Sequence, residues 1–265
     1  YAADVYSSTI GAVEDFKAFI ISQSTDLVGC VLFGDLPCAW FEIENDYNEY
    51  GYADFPCDLF LTDFDGVWRD IETVLPMQSG VYDSHIGGAG DTAPEIFIGR
   101  IDASRMTADA EDIQINSYLD KLHEWYSSRL LMTNYALTYT EDDWANNPEF
   151  ETDIEYAYSS HEGIKAPYTS RDDYRDNRLA SAAYQFIQIS SHSSAFFHYF
   201  TRGGLLWHYE IMAVPPRALF YNLFCCNALR FTYSDFLGGA YIFNPSATSL
   251  AAVGSTKTGA MLNFF

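Results

Sequence analysis

Four short apolar runs constrain the fold of this chain more than any other feature: LVGCVLF (27–33), NYALTYT (134–140), YQFIQIS (184–190) and ALFYNLF (218–224). Each is rich in β-branched and aromatic residues, the pattern of a strand buried on both faces. EIFIGR (95–100) and LAAVGST (250–256) read as a fifth and a sixth strand. Helical spacing fills the intervals, most clearly over 107–130. There Ile115, Leu119, Leu122, Tyr126 and Leu130 recur at steps of three and four, and Asp109, Glu111 and Asp112 crowd the first turns, where the helix dipole favours negative charge. Strands alternating with helices predict an α/β fold with a mainly parallel sheet flanked by helices. Apolar residues run evenly along the chain without internal repeat or low-complexity linker, so one domain over 1–265 is expected.

In open α/β sheets ligands sit beyond the carboxyl ends of the strands. The residues that follow the four runs are Gly34-Asp35, Glu141-Asp142-Asp143, Ser191-His192-Ser193 and Cys225-Cys226-Asn227. The topology can therefore gather a thiol, an imidazole and several carboxylates into one crevice. The five cysteines, Cys30, Cys38, Cys57, Cys225 and Cys226, are odd in number and irregular in spacing, which gives no disulfide framework. No pair of CxxC units suggests structural zinc. A cysteine at a strand end that opens a helix gains a more acidic thiol from the helix dipole and free amides. Side chains alternate along a strand, so only one of the two adjacent cysteines can face the crevice. A nucleophilic thiolate needs an acid for the leaving amine, and His192 is the candidate, with His198 six residues on as its rival. His85, His123, His161 and His208 read as surface or packing residues.

Charge narrows the partners. Lys and Arg total 14 against 37 Asp and Glu, a formal net charge of -23, which repels phosphate backbones and anionic lipid surfaces. Nucleic acid is not an expected partner. Acidity on this scale suits an exported or cation-binding protein, and no stretch approaches the roughly 20 apolar residues of a transmembrane helix. The opening residues YAADVYSST lack a signal peptide's basic start and apolar centre, so the expectation is a removed signal or a piece of something longer. The acidic loop TDFDGVWRD (62–70) carries Asp63, Asp65 and Asp70 around Gly66, a spacing that can hold calcium although it is not an EF-hand. Asp142 and Asp143, at a strand end beside the proposed dyad, are expected to form a substrate-binding pocket for an Arg or Lys side chain.

Taken together, GCVLFGDLPCAWFEI, DFPCDLFLTDFDGVWRD, GDTAPEIFIGRI, SSHSSAFFHYF, ALFYNLFCCNALRF and GGAYIF with AAVGSTKTG resemble the gingipain-type cysteine peptidases and their secreted bacterial relatives, in order along nearly the whole chain. That resemblance implies a caspase-like α/β fold, a Cys-His dyad at the ends of adjacent strands, an oxyanion site of backbone amides, and peptide-bond hydrolysis through an acyl-enzyme. It implies protein or peptide substrates, no cofactor for the chemistry, a structural calcium ion, and a location outside the cell or on its surface. Carried over residue by residue, the family histidine falls on His192 and the nucleophile on Cys226, with Cys225 where the family usually has alanine. The family glycine after the histidine is Ser193 here. Where glycine would free the backbone of an oxyanion donor, serine restricts it. Ser193 therefore motivates the alternative expectation, a peptidase-like domain without catalysis that serves as a binding or surface module.

Overall fold

The computed structural model describes residues 13–48, 50–71, 79–130 and 132–259. The chain divides after Ser104 into two compact units, each with its own sheets and apolar cluster. A sequence evenly apolar from end to end hides this division, because both units need a core.

In the N-terminal unit, helix α1 (Val13–Ser22) buries Val13, Phe16 and Ile20, three positions spaced to share one face. Strand β1 (Gly29–Phe33) is followed by β2 (Trp40–Ile43), β3 (Ala53–Pro56), the short helix α2 (Leu59–Thr62), β4 (Val67–Arg69), β5 (Val81–Tyr82), β6 (Ser84–Ile86) and β7 (Phe97–Ile101). β1 pairs in parallel with β7, with Gly29 opposite Phe97 and Phe33 opposite Ile101. A Cβ at Gly29 would fall 2.5 Å from ring atoms of Phe97, so a side chain there would require that exposed ring to move aside. β2 lies between antiparallel β3 and parallel β5, and β4 pairs with β6. The strands expected over 27–33 and 95–100 thus exist, but in a two-stranded sheet whose Val31 and Phe33 stay half exposed rather than buried.

The C-terminal unit holds helix α3 (Glu111–Tyr126), β8 (Ala136–Thr140), α4 (Glu149–Thr152), β9 (His161–Lys165), α5 (Arg171–Asp173), β10 (Phe186–Ser190), β11 (His192–Ser193), β12 (Phe197–Phe200), β13 (Gly204–Trp207), α6 (His208–Ala213), β14 (Phe220–Phe224), α7 (Leu237–Ile242) and β15 (Ala251–Gly254). Its principal sheet is five-stranded and parallel throughout, in the order β15-β14-β10-β8-β9. The mixed α/β fold with a parallel sheet is the architecture that the alternating pattern predicts. One face of the sheet carries Leu137, Tyr139, Ile187, Ile189, Tyr221 and Leu223, all fully buried and joined by Leu237, Ala240 and Tyr241 from α7 and Ile211 from α6. Burial of a side chain of this size stabilises by about 1.5–3 kcal/mol, so this face holds the unit together. On the other face Asn222 donates a hydrogen bond to Gln188 at 3.0 Å, and the rings of Tyr158 and Phe186 stack.

Helix α3 corrects the apolar spacing read over 107–130. Its buried residues are Gln114, Tyr118 and Lys121, while Leu119 and Tyr126 are exposed. The buried stripe is polar because it satisfies carbonyls. Gln114 donates to the Met106 and Asp109 carbonyls, Tyr118 to that of Leu250, and Lys121 to that of Ile242 at 2.6 Å. Burial lowers the Lys121 pKa to about 8.

Candidate active site

β10 and β14 are neighbours in register, with Ser190 opposite Phe224. His192 and Cys226 each stand two residues beyond that pair, at the carboxyl ends of adjacent parallel strands. The two strand ends are tied together by the Ser193 hydroxyl, which donates to the Cys226 carbonyl. The short parallel register therefore brings together residues that are 34 positions apart in the chain.

The chain turns sharply at Cys226. No helix starts there: Cys226 begins a turn, and α7 starts only at Leu237, so a helix dipole does not act on this thiol as the sequence suggested. Asn227 adopts the left-handed region, with φ +56°, where asparagine is among the few side chains that fit well. Its amide donates to the Lys257 carbonyl at 2.8 Å and its side chain to the Thr258 hydroxyl at 3.1 Å. The same 255–259 segment reaches the thiol: the Gly259 amide donates to the Cys226 sulfur at 3.2 Å. Cys226 remains half-buried.

Cys225 has the opposite surroundings. It is 2% exposed, it belongs to the apolar cluster under the sheet, and burial pushes its thiol up to about 12. A thiol so buried stays protonated at neutral pH. Its sulfur lies 3.7 Å from Nδ1 of His198, which also meets the Ser191 hydroxyl at 3.2 Å. On the far side, His198 Nε2 is 2.8 Å from the Tyr241 hydroxyl, itself 3.0 Å from that of Tyr174. This second cysteine–histidine pair is sealed, and burial lowers the His198 pKa to about 3.

The depressed pKa makes a stability prediction. In the unfolded chain His198 protonates below about 6.5, whereas the folded chain resists protonation until about pH 3. The unfolded state therefore binds more protons in that window, and stability falls as pH drops from 6.5 toward 3. Urea midpoints measured from pH 7 to 4 are expected to fall more steeply for the parent than for His198→Gln, which cannot titrate. Parallel profiles would remove His198 from the account.

His192 stands in the open. Its Nε2 lies 2.6 Å from Asp143 Oδ2, and the Trp144 ring sits 4.8 Å from the imidazole. Trp144 also meets Phe224 edge to face, so this indole spans from the histidine to the last residue of β14. Asp143 reaches His192 from a single 3₁₀ turn, Asp142–Trp144, that follows β8 on the other side of β10. Of the two residues expected to bind a cationic side chain, Asp143 pairs with the imidazole and Asp142 is exposed. The Ser193 backbone lies in strand β11 outside the left-handed region, so serine adopts it without the strain that a replaced glycine can leave.

The acidic loop of the N-terminal unit also separates. Asp63 and Asp65 cluster with Glu95, whereas Asp70 lies with Glu42 and Asp83. Asp63 accepts from the Gly66 amide at 2.7 Å and pairs with His85 at 2.5 Å. Asp65 accepts from the Asp91 amide, and Glu95 from the Phe64 amide. Calcium asks for six to eight oxygens. Asp63, Asp65 and Glu95 bring one oxygen each within 4.8 Å of one another, as do Glu42, Asp70 and Asp83, so each trio would supply three such ligands, the first while also accepting from the protein's own donors. Glu95, His85 and Gly259 carried no signal in local spacing, since each meets its partner across at least 22 residues.

A comparison with protein families finds no match, and a comparison with curated proteins finds none either. Two solved structures share the fold. One, described as the structure of a protease, aligns with a TM-score of 0.64 at 17% identity over 97% of this chain and 53% of its own. The other is the Arg-specific cysteine proteinase gingipain R, with a TM-score of 0.56 at 14% identity over 95% of this chain and 54% of its own. The chain spans about half the length of both. The fold is thus that of gingipain-like, caspase-fold proteases.

Proposed function

We propose that this chain is a cysteine endopeptidase domain in which Cys226 is the nucleophile and His192 the general acid and base. The observation that carries the reading is the pairing of environments at the ends of β10 and β14. One cysteine is half-buried at a sharp turn with an amide donating to its sulfur, and an accessible, carboxylate-held imidazole lies on the adjacent strand end. Among the described residues no helix is long and apolar enough to cross a membrane, which suits a peptidase that meets peptides in water.

In the proposed reaction His192 takes the Cys226 proton, and the thiolate attacks the scissile carbonyl carbon to give a tetrahedral oxyanion. Collapse breaks the carbon–nitrogen bond while the imidazolium returns its proton to the leaving amine, leaving a thioester on Cys226. His192 then deprotonates a water that attacks the thioester carbonyl. The carbon–sulfur bond breaks, the thiolate regains a proton, and the carboxylic acid departs. Asp143 fixes the orientation of the imidazole through its contact with Nε2.

A digest of a peptide library analysed by mass spectrometry tests the reading, together with an acyloxymethyl ketone probe. One cleavage motif, with the probe attached at Cys226, is the expected result. Uncleaved peptides and slow, uniform labelling of all accessible cysteines would overturn it and favour a binding module.

Asp143→Asn measures the positioning role. The His192 and Asp143 side chains are 54% and 67% exposed, and pairs so exposed contribute about 0–1 kcal/mol. A loss in kcat/KM of no more than about tenfold is expected, with Asp142→Asn near the parent. A loss as large as that from removing His192 would show a carboxylate acting in the chemistry itself.

A further inference from the structure

The three-stranded meander that begins at His192 sorts its side chains by strand alternation. His198, Phe200 and Leu206 point inward and are fully buried. The opposite face is formed by the partners in register: His192 opposite Tyr199, Tyr199 opposite Leu205, and Phe197 opposite Trp207. Register partners in antiparallel strands place their Cβ atoms about 4.5–5.5 Å apart on the same face. Tyr199 is therefore the immediate neighbour of His192, and Leu205 the next along the same row.

This outward row is apolar and aromatic in a chain of formal net charge -23. Tyr199 is 42% exposed and Leu205 is half-buried. Phe197 packs edge-on against Trp207, with ring centroids 4.9 Å apart, and Tyr209, 57% exposed, lies parallel to the Trp207 ring at 6.1 Å. Three strands at about 4.8 Å spacing make a platform about 10 Å across, the length of three residues of extended peptide. Its inner face is anchored to the main core through Phe200 and Leu206, so the platform is rigid where it meets His192.

We infer that this face is the subsite for the part of the substrate that leaves, and that it takes a peptide with an aromatic or long apolar side chain within two residues after the scissile bond. The inference rests on the peptidase reading for its orientation. The group that protonates the leaving amine must touch that nitrogen, so the departing chain runs on from His192. The apolar surface in register with His192 is Tyr199 and Leu205, with Phe197 and Trp207 one step along the strands. Amphipathic aromatic faces of this kind supply contact area at little entropic cost and favour apolar partners.

The experiment compares two internally quenched peptides that differ only in the second residue after the scissile bond, Phe or Ser. For the parent, kcat/KM is expected to favour Phe by tenfold or more. In Tyr199→Ser combined with Trp207→Ser that ratio is expected to fall to about one. General damage to the fold lowers both rates and leaves the ratio, so a ratio retained in the double variant, or a parent ratio near one, overturns the inference. The same peptides are titrated against Cys226→Ala, which binds without turnover, with and without the double change. A parent that cleaves neither peptide sinks the peptidase reading alone. The surface is then judged by the binding ratio: a tenfold preference for Phe that is lost with the two aromatics upholds it, and equal binding overturns it.

Discussion

Replacing Cys226 by alanine is expected to reduce peptide hydrolysis to the uncatalysed background, while Cys225→Ala keeps most of the parent's turnover. The two cysteines are neighbours in sequence and opposites in chemistry. Covalent catalysis needs a thiolate at ambient pH within reach of the substrate. Cys226 has access and an amide donating to its sulfur, whereas Cys225 is sealed among Tyr221, Leu223, Ala228 and Tyr241 with its thiol pushed up to about 12. Cys225→Ala removes one buried sulfur next to His198, so its effect belongs to stability, at about 1 kcal/mol for a small cavity. Burst kinetics with an activated ester separates acylation from turnover. Loss of the burst in Cys225→Ala with a burst kept in Cys226→Ala would reverse the assignment.

The histidines are expected to divide in the same way. His192→Ala should lower kcat by about 10²- to 10⁴-fold, the usual contribution of a positioned general acid and base, with little change in melting temperature, because its ring is exposed. His198→Ala should do the reverse. Removing that ring opens a void in the core and takes from the Ser191 hydroxyl its His198 partner, while Tyr241 keeps the Tyr174 hydroxyl, and a buried polar group left unpaired costs about 1–3 kcal/mol. Thermal unfolding and kcat measured on the same preparations distinguish the two roles. A stable but inactive His198→Ala would move the catalytic function to the buried pair and contradict the accessible site.

What the sequence determined by itself was local and periodic. The six strands lie where β-branched and aromatic runs suggested, from Gly29–Phe33 to Ala251–Gly254, and their alternation with helices implied parallel pairing. Period-two alternation is equally local, and it is why one of Cys225 and Cys226 had to face inward and the other outward. Partner choice was beyond its reach. β1 and β7 carry the same kind of residues as the central strands yet pair with each other in a separate sheet, because strand pairing depends on chain paths that composition does not encode. The buried face of α3 was displaced from its apolar spacing because carbonyls of Met106, Asp109, Ile242 and Leu250 needed donors, and Gln114, Tyr118 and Lys121 could reach them. In the same way, Asp143 came to pair with the His192 imidazole, and Asp70 parted from Asp63 and Asp65. The longest-range of these contacts, such as His85 with Asp63 at 22 positions and Tyr118 with Leu250 at 132, follow from three-dimensional register. A carboxylate carries no mark in the sequence of the donor it will meet, and only the folded backbone decides which one comes within 3 Å.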